Sequence, residues 1–487
     1  MSVSRILLER RSPALAAAAA LALAACSLGP TGEPPAMPSP AHYGQTPLPE
    51  QTQTAAGVAQ HFDVGAQPTP QWWRLYRSPQ LDALVDEGLK HSPTLAATEK
   101  TLAGAHEQLR AQIGSTLLPT IDASAQATRE RALGIPDAGA PTVRYNVFVG
   151  QIQAHYTFDL FGAVRYANAA LNARVDVQAF ELEAARRALA ANIVTTAINA
   201  AALDDEVAST ERLIALAQQT ARDDARRYAL GSAPHVQALA SEQTASEFEA
   251  SLPPLLQQRQ AARHALAVLL GRTPDAVPEI PTLAGLSLPE RVPVVVPSHL
   301  LRARPDIAAA EAALKAAAAE VGVATAQLFP SLSLTASMGQ GGFDWPTALS
   351  GAGALWSLGG SLTQPLFHGG ALLAQRRAAI DFYEASTLQY KAAVLSAFEN
   401  VADTLAALEH DAQAAAATQR QARSAQQAFA ETAARGRLGA VPPSSVRTSE
   451  IQYGNAKLAA IRSTGQRLSD TALLFQAMGS MPDAKGS

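Results

Sequence analysis

One unit of sequence occurs twice in this chain, so its elements must come in pairs. Ser92-Pro93 to Leu118-Pro119-Thr120-Ile121 matches Arg304-Pro305 to Phe329-Pro330-Ser331-Leu332. Asp159-Leu160-Phe161-Gly162 matches Pro365-Leu366-Phe367-His368-Gly369, and Arg227-Tyr228-Ala229-Leu230-Gly231 matches Arg435-Gly436-Arg437-Leu438-Gly439. The offset stays between 206 residues (Phe161 to Phe367) and 212 (Pro93 to Pro305). Chance gives one such match, not an ordered series. Each unit reads helix, strand, strand, long helix, tip, helix. Between the units, residues 273–299 carry Pro274, Pro278, Pro281, Pro289, Pro293 and Pro297 and read as an irregular linker.

The helices are the plainest elements. Phe161 to about Tyr228 contains no proline and is rich in Ala, Leu, Glu and Arg. Such a helix would be roughly 100 Å long. It cannot be stable alone and must pack along its length against others. Phe367 to about Arg435 repeats the pattern. Pro253-Pro254 sits in the first returning helix and is predicted to kink or break it.

Four segments between the helices alternate with period two, which sorts their side chains onto opposite faces. Thr120, Asp122, Ser124, Gln126 and Thr128 alternate with Ile121, Ala123, Ala125 and Ala127. Gln151, Gln153, His155, Thr157 and Asp159 alternate with Ile152, Ala154, Tyr156 and Phe158. Ser331, Ser333, Thr335 and Ser337 alternate with Leu332, Leu334, Ala336 and Met338; Ser357, Ser361 and Thr363 alternate with Trp356, Leu358 and Leu362. Each predicted strand has about 9–11 residues, the length of a tilted membrane strand. Four strands cannot close a barrel, since the smallest have about eight. An open edge in lipid leaves backbone groups unpaired, so several copies must assemble.

Composition narrows the function. Aromatic residues make up 5% and alanine dominates the apolar set, which suits close packing of long helices. The net charge of −4, without a basic stripe, argues against a nucleic-acid partner. No enzyme motif stands out. His106-Glu107 lacks a second histidine at helical spacing, and there is neither a phosphate loop nor a Gly-x-Ser-x-Gly elbow. His368, at the second strand-to-helix junction, reads as structural, and no metal site is expected. Trp72 and Trp73 read as packing anchors.

The single cysteine, Cys26, follows an export signal: Arg5, Arg10 and Arg11, then the apolar run Ala14–Ala25. That run is too short to span a bilayer, which needs about 20 residues. Leu23-Ala24-Ala25-Cys26 resembles the bacterial lipobox, whose cysteine is lipidated. The resemblance implies a diacylglycerol thioether and an N-acyl chain (palmitate class) on Cys26, and no other cofactor. Ser27, not Asp, follows the cysteine, which under the sorting rule of such lipoproteins directs the chain to the outer membrane. The expected division is a lipoprotein signal peptide at 1–25, a lipidated arm at 26–70, a first repeat at 71–272, the linker at 273–299, a second repeat at 300–480 and a tail at 481–487.

Four stretches carry a family resemblance. Pro297-Ser298-His299-Leu300-Leu301-Arg302-Ala303-Arg304-Pro305-Asp306-Ile307 looks like a signature of outer-membrane efflux lipoproteins of the TolC superfamily. Thr157-Phe158-Asp159-Leu160-Phe161-Gly162 resembles that family's strand-to-helix junction, Tyr390–Asp403 its second long helix, and Gln71-Trp72-Trp73 with Ser78-Pro79-Gln80-Leu81 its N-terminal segment. These signatures mark the fold and carry no chemistry. The resemblance implies an α+β membrane protein of NodT type: a TolC-like homotrimer with a 12-stranded β-barrel, four strands per chain, continued by a long α-helical barrel. It further implies an outer-membrane factor of a tripartite resistance-nodulation-division efflux system. The partners would be a periplasmic adaptor, an inner-membrane pump and outer-membrane lipid.

The tips fall near Gly231 and Gly439, and Arg227, Tyr228, Gly231, Arg435 and Gly439 are candidate adaptor contacts. Related channels carry Leu, Asp and Arg just after the second tip. Here Ser444, Thr448 and Ile451 fall on those places, so the ion-pairing residues are absent, and Arg447 and Glu450 sit one helical step off. The expectation is a weakly latched gate at Ser444, Arg447, Thr448, Glu450 and Ile451, stiffened by Pro442-Pro443. Two alternatives stay open: a channel of the same fold for type I protein or peptide secretion, and a periplasmic lipoprotein scaffold without a pore.

Overall fold

The computed structural model describes residues 28–479 except 39, 45 and 134–141. Cys26, the signal peptide and the tail at 481–487 lie outside the described residues. The elements run β1 (His61–Val64), a 3-10 turn (Trp72–Tyr76), α1 (Pro79–His91), α2 (Pro93–Leu117), β2 (Thr120–Leu133), β3 (Thr142–Phe158), α3 (Ala163–Ala229) and α4 (His235–Leu269). There follow β4 (Arg291–Val294), α5 (Pro297–Ala303), α6 (Pro305–Ala326), β5 (Ser331–Gly342), the single turn α7 (Trp345–Ala348), β6 (Ala354–Thr363), α8 (Ala371–Arg437) and α9 (Pro443–Met478). The long helices α3 and α8 each have 67 residues. The chain forms two compact units: one of Thr101–Gln178, Ala309–Tyr390 and the N-terminal stretch to Pro35, the other of Ala36–Lys100, Ala179–Ala308 and the chain from Lys391 on.

The first unit holds an antiparallel sheet in the order β2-β3-β5-β6. Each repeat gives one hairpin, and β3 pairs with β5 to join them, with Ile152 opposite Met338. Three of the strands exceed the 9–11 residues expected: β2 has 14, β3 has 17 and β5 has 12. Alternation of polarity fades beyond Thr128, but backbone pairing does not depend on which face is wet. The ladder therefore continues to Leu133 opposite Thr142.

The strand-to-helix junctions are built locally. Asp159 accepts hydrogen bonds from the Val164 and Arg165 amides at 3.1 and 3.0 Å, satisfying donors that the first turn of α3 leaves open. Gly162 takes φ +83°, which a side chain would resist. In the second repeat Pro365 replaces the aspartate, and Gly369 and Gly370, with φ +59° and +82°, make the turn instead. Packing is close where glycine allows it: a Cβ on Gly322 would lie 2.5 Å from the Tyr166 ring, and the Tyr166 hydroxyl accepts from the Leu28 amide at 2.9 Å.

In the second unit, Val394, Ala397, Val401, Leu405, Leu408 and Ala412 of α8 are buried, all but Leu405 completely, recurring every three or four residues along one face. Ile193, Val194, Ala197 and Ile198 of α3 are buried as completely. Trp72 and Trp73 are buried, and Trp72 stacks on Phe475 at 5.3 Å, so they act as the expected anchors. The Tyr76 hydroxyl donates to the Leu468 carbonyl at 2.8 Å.

Two expectations need correction here. The linker is not wholly irregular: Arg291–Val294 forms β4, which pairs in parallel with β1 of the arm. The amides of His61 and Gly65 bond to the Glu290 and Val294 carbonyls at 2.7 and 2.8 Å. Alternate residues of β4 thus face β1, and Pro293, set between them, turns its donor-less nitrogen away from the ladder. Of the kink or break expected at Pro253-Pro254, the break does not occur, because α4 runs through both. The carbonyls of Glu249 and Ala250 lose their usual donors, but both residues are exposed, so water can take the donors' place.

Candidate functional site

The sheet and the tips are the two places where this fold can act. Pairing register fixes the sheet's faces. One face carries Ile121, Ala123, Ala125 and Ala127 of β2, with Ala154 and Ile152 of β3 opposite Ile121 and Ala123. Across β5 it continues through Leu332, Leu334, Ala336 and Met338, and across β6 through Leu362, Leu358 and Trp356. The other face carries Asp122, Ser124 and Gln126, then Gln153 and Gln151, then Ser333, Thr335 and Ser337, then Ser361 and Ser357. On that face the His155 ring meets Thr335 at 3.2 Å, and Ser337 meets Ser357 at 2.8 Å. The apolar face is exposed in the single chain: Ile121 69%, Leu358 67%, Trp356 81%. Aromatic pairs flank it, Tyr156–Phe158 near the helices and Phe148–Trp345, stacked at 4.3 Å, toward the hairpin ends. An apolar band with aromatic rims and a polar reverse is the wall of a membrane barrel. β2 and β6, as the outer strands, each leave one edge unpaired among the described residues.

The tips sit at the far ends of the long helices. Gly231 takes φ +71° and Gly439 φ +70°. The Ser232 amide reaches back to the Arg227 carbonyl and the Gly231 amide to Tyr228, both at 2.8 Å, closing the end of α3 in a Schellman turn. Ala440 and Gly439 repeat this with Arg435 and Gly436 at 2.9 and 3.0 Å. Tyr228 stacks on His235 at 4.5 Å. Leu230 and Leu438 project into solvent, 83% and 84% exposed.

Of the five residues expected near the gate, the structure divides two from three. Arg447 pairs with Asp223 of α3 at 2.7 Å and also donates to Thr220 at 3.2 Å. Glu450 pairs with Arg212 of α3 at 2.6 Å. These two, with Gly454, where a Cβ would lie 2.5 Å from Leu213, form the face of α9 that packs on α3. The partners of both Arg447 and Glu450 come from the other repeat, where no local motif marks them. Ser444, Thr448 and Ile451 fall about a quarter turn away, and the Thr448 hydroxyl donates back to the Ser444 carbonyl at 3.0 Å.

A buried polar cluster went unmarked in the sequence. Arg467 is 4% exposed and donates to Gln60 and Thr52 of the arm, each at 3.1 Å. Asp411 of α8 faces Asp470 of α9; the two carboxyls can share a hydrogen bond only when one is protonated, and the buried Asp411 Oδ2 has no partner otherwise. Burial, then that bond and the neighbouring charge, push the Asp411 carboxyl up to about 7, against the pull of Arg467. Among the described residues no group of three or more His, Cys, Asp and Glu could hold a metal ion, and no helix is long and apolar enough to cross a membrane.

A sheet with a lipid-type face, carried on paired helical hairpins, defines a channel subunit of a bacterial outer membrane. The family model described as outer membrane efflux protein matches residues 84–272 and 296–480. Outer membrane protein OprJ of Pseudomonas aeruginosa is 30% identical over 482 residues, covering 96% of this chain and 96% of that protein. Pyoverdine export outer membrane protein OpmQ of Pseudomonas putida is 28% identical over 466 residues, covering 94% and 95%. The Campylobacter jejuni CmeC outer membrane channel shares the fold at TM-score 0.82 and 21% identity, over 93% of this chain and 95% of that one. The chain belongs to the outer membrane efflux protein family. Its fold is TolC-like, and its function is that of the outer-membrane channel of a tripartite efflux pump.

Proposed function

We propose that three copies of this chain join their four-stranded sheets edge to edge into one twelve-stranded barrel, continued by a helical tunnel through the periplasm. The observation that carries this is the pair of open edges, β2 and β6, on a sheet whose apolar face is exposed. Unpaired backbone in hydrocarbon costs several kcal/mol per group, and closure removes it. The trimer is a passive conduit for small molecules. An inner-membrane pump supplies energy and most of the choice of cargo, and a periplasmic adaptor meets the tips at Arg227, Tyr228, Gly231, Arg435 and Gly439.

In this reading Cys26 carries the lipid and the arm at 26–70 follows it, ahead of repeats at 71–272 and 300–480. The lipid chiefly directs the chain to its membrane, while the strands hold the pore there. Ser444, Thr448 and Ile451 line the constriction beyond the second tip, and the Arg447–Asp223 and Glu450–Arg212 pairs hold α9 beside it. The reading is tested with purified full-length protein in planar bilayers and on unheated gels. It expects trimers that dissociate on heating, discrete conductance steps, and drug sensitivity on deletion of the gene. A stable monomer without conductance would overturn it.

A further inference from the structure

The polarity of the outward face reverses at a defined level. From Phe158 to Phe148 the apolar face of β3 spans ten residue steps, about 34 Å along the strand and about 26 Å across a bilayer at the usual tilt. That matches the apolar band of outer-membrane barrels, about 25 Å tall. The next residues on this same face are Arg129 opposite Asn146, then Arg131 opposite Arg144. They stand about 5 and 10 Å past the Phe148–Trp345 stack. The long helices leave the sheet at its other end, so these arginines are at the extracellular end, where the outer leaflet's headgroups begin.

Three guanidinium groups thus share one small patch. Arg131 and Arg144 are directly opposed across the ladder, with Cβ atoms about 5 Å apart, an arrangement that is destabilising unless an anion lies between. All three are exposed, and among the described residues none forms a salt bridge with a carboxylate. Glu130, at the same level, faces the other way and accepts a hydrogen bond from Tyr145 at 2.8 Å. Arg131 also donates to Thr142 at 2.9 Å on the arginine face, using one of its five donors. Guanidinium forks match phosphate oxygens in charge and geometry.

We infer that Arg129, Arg131 and Arg144 form a binding patch for phosphorylated lipid headgroups of the outer leaflet. It rests on the reading of the sheet as part of an outer-membrane barrel. The bound phosphate offsets the Arg131–Arg144 repulsion and fixes the height of the barrel in the bilayer. Lipid supplies the apolar contact below the patch, on Ala127 and Phe148, that free phosphate lacks.

The test uses full-length protein in uncharged detergent, read by native mass spectrometry. The probes are lipid A with two phosphates, the same lipid enzymatically dephosphorylated, and inorganic phosphate. The wild type should hold phosphorylated lipid A at about tenfold lower concentration than the R131Q/R144Q protein, since each basic residue at a headgroup surface contributes appreciably. R129Q should weaken binding further, and added salt should erode the difference. E130Q, on the opposite face, should bind as the wild type does. Heat-dependent trimer migration shows that each variant is folded. Equal retention of phosphorylated and dephosphorylated lipid by a normally inserting protein would overturn this proposal alone. So would inorganic phosphate displacing the lipid at equal concentration. A protein that neither assembles nor inserts would overturn the barrel as well.

Discussion

Arg447 and Asp223 meet at 2.7 Å, tying the helix that leaves the second tip to the helix that reaches the first. The Arg447 side chain is 12% exposed and Asp223 37%, so the pair is only partly screened. Its loss should cost about 1 kcal/mol of local packing. R447Q and D223N should each raise resting conductance in planar bilayers severalfold, and the swapped R447D/D223R protein should recover much of the closure. A swap that leaks as freely as the single variants would show that the pair does not latch the tip.

The Asp411 carboxyl titrates at about 7 instead of 3.8 in the folded chain, because burial and the bond to Asp470 favour its protonated form. Between those values the folded chain keeps a proton that the unfolded chain has released. Stability from this site is therefore full at acid pH and is lost as pH rises toward 7. Thermal unfolding of the wild type should show that loss. D411N, which keeps a neutral side chain at every pH, should show a flatter profile over the same window, and an unchanged profile would refute the assignment.

Leu358 and Ser357 are neighbours on opposite faces of β6. An arginine at Leu358 would stand in the apolar band and should cost about 2–4 kcal/mol of folding into bilayers. An arginine at Ser357 faces the lumen and should leave insertion near wild type while changing ion selectivity. Equal losses at the two positions would mean that the faces are assigned wrongly.

Gly322 lies where any side chain collides with Tyr166, the nearest ring atom being 2.5 Å from a built Cβ. Gly322→Ala should destabilise the protein by about 1–3 kcal/mol, as overpacking does. Tyr166→Leu should relieve part of that cost in the double variant, although it removes the hydrogen bond to Leu28. Differential scanning calorimetry on all three proteins measures both effects.

Much of this fold is legible because its repeats are long and strongly patterned. The absence of proline after Phe161 and the glycines at the tips mark α3 closely. Strand ends are less legible: from Arg129 polar side chains enter the apolar face as well, so alternation stops while backbone pairing carries on to Leu133. That same change on the apolar face was the available sign of the arginine patch. β1 and β4 are four residues each and pair across more than two hundred positions, too short and too distant for a local pattern. The ion pairs of Arg447 and Glu450 have the same character, since nothing near either residue names Asp223 or Arg212. Asp411 reads as one more charge on a helix, because only packing against Asp470 and Arg467 makes it unusual.

The equal length of α3 and α8, 67 residues each, gives the two halves a common gauge. Removing seven residues from one helix alone would draw its tip back by about 10 Å against the other. The adaptor proposed to dock there would then meet hairpins of uneven reach. The same deletion made in both would leave the tips in step. A shortened or lengthened version of this protein is therefore reachable only through matched edits, and a hybrid of two such channels must take both long helices from the same parent.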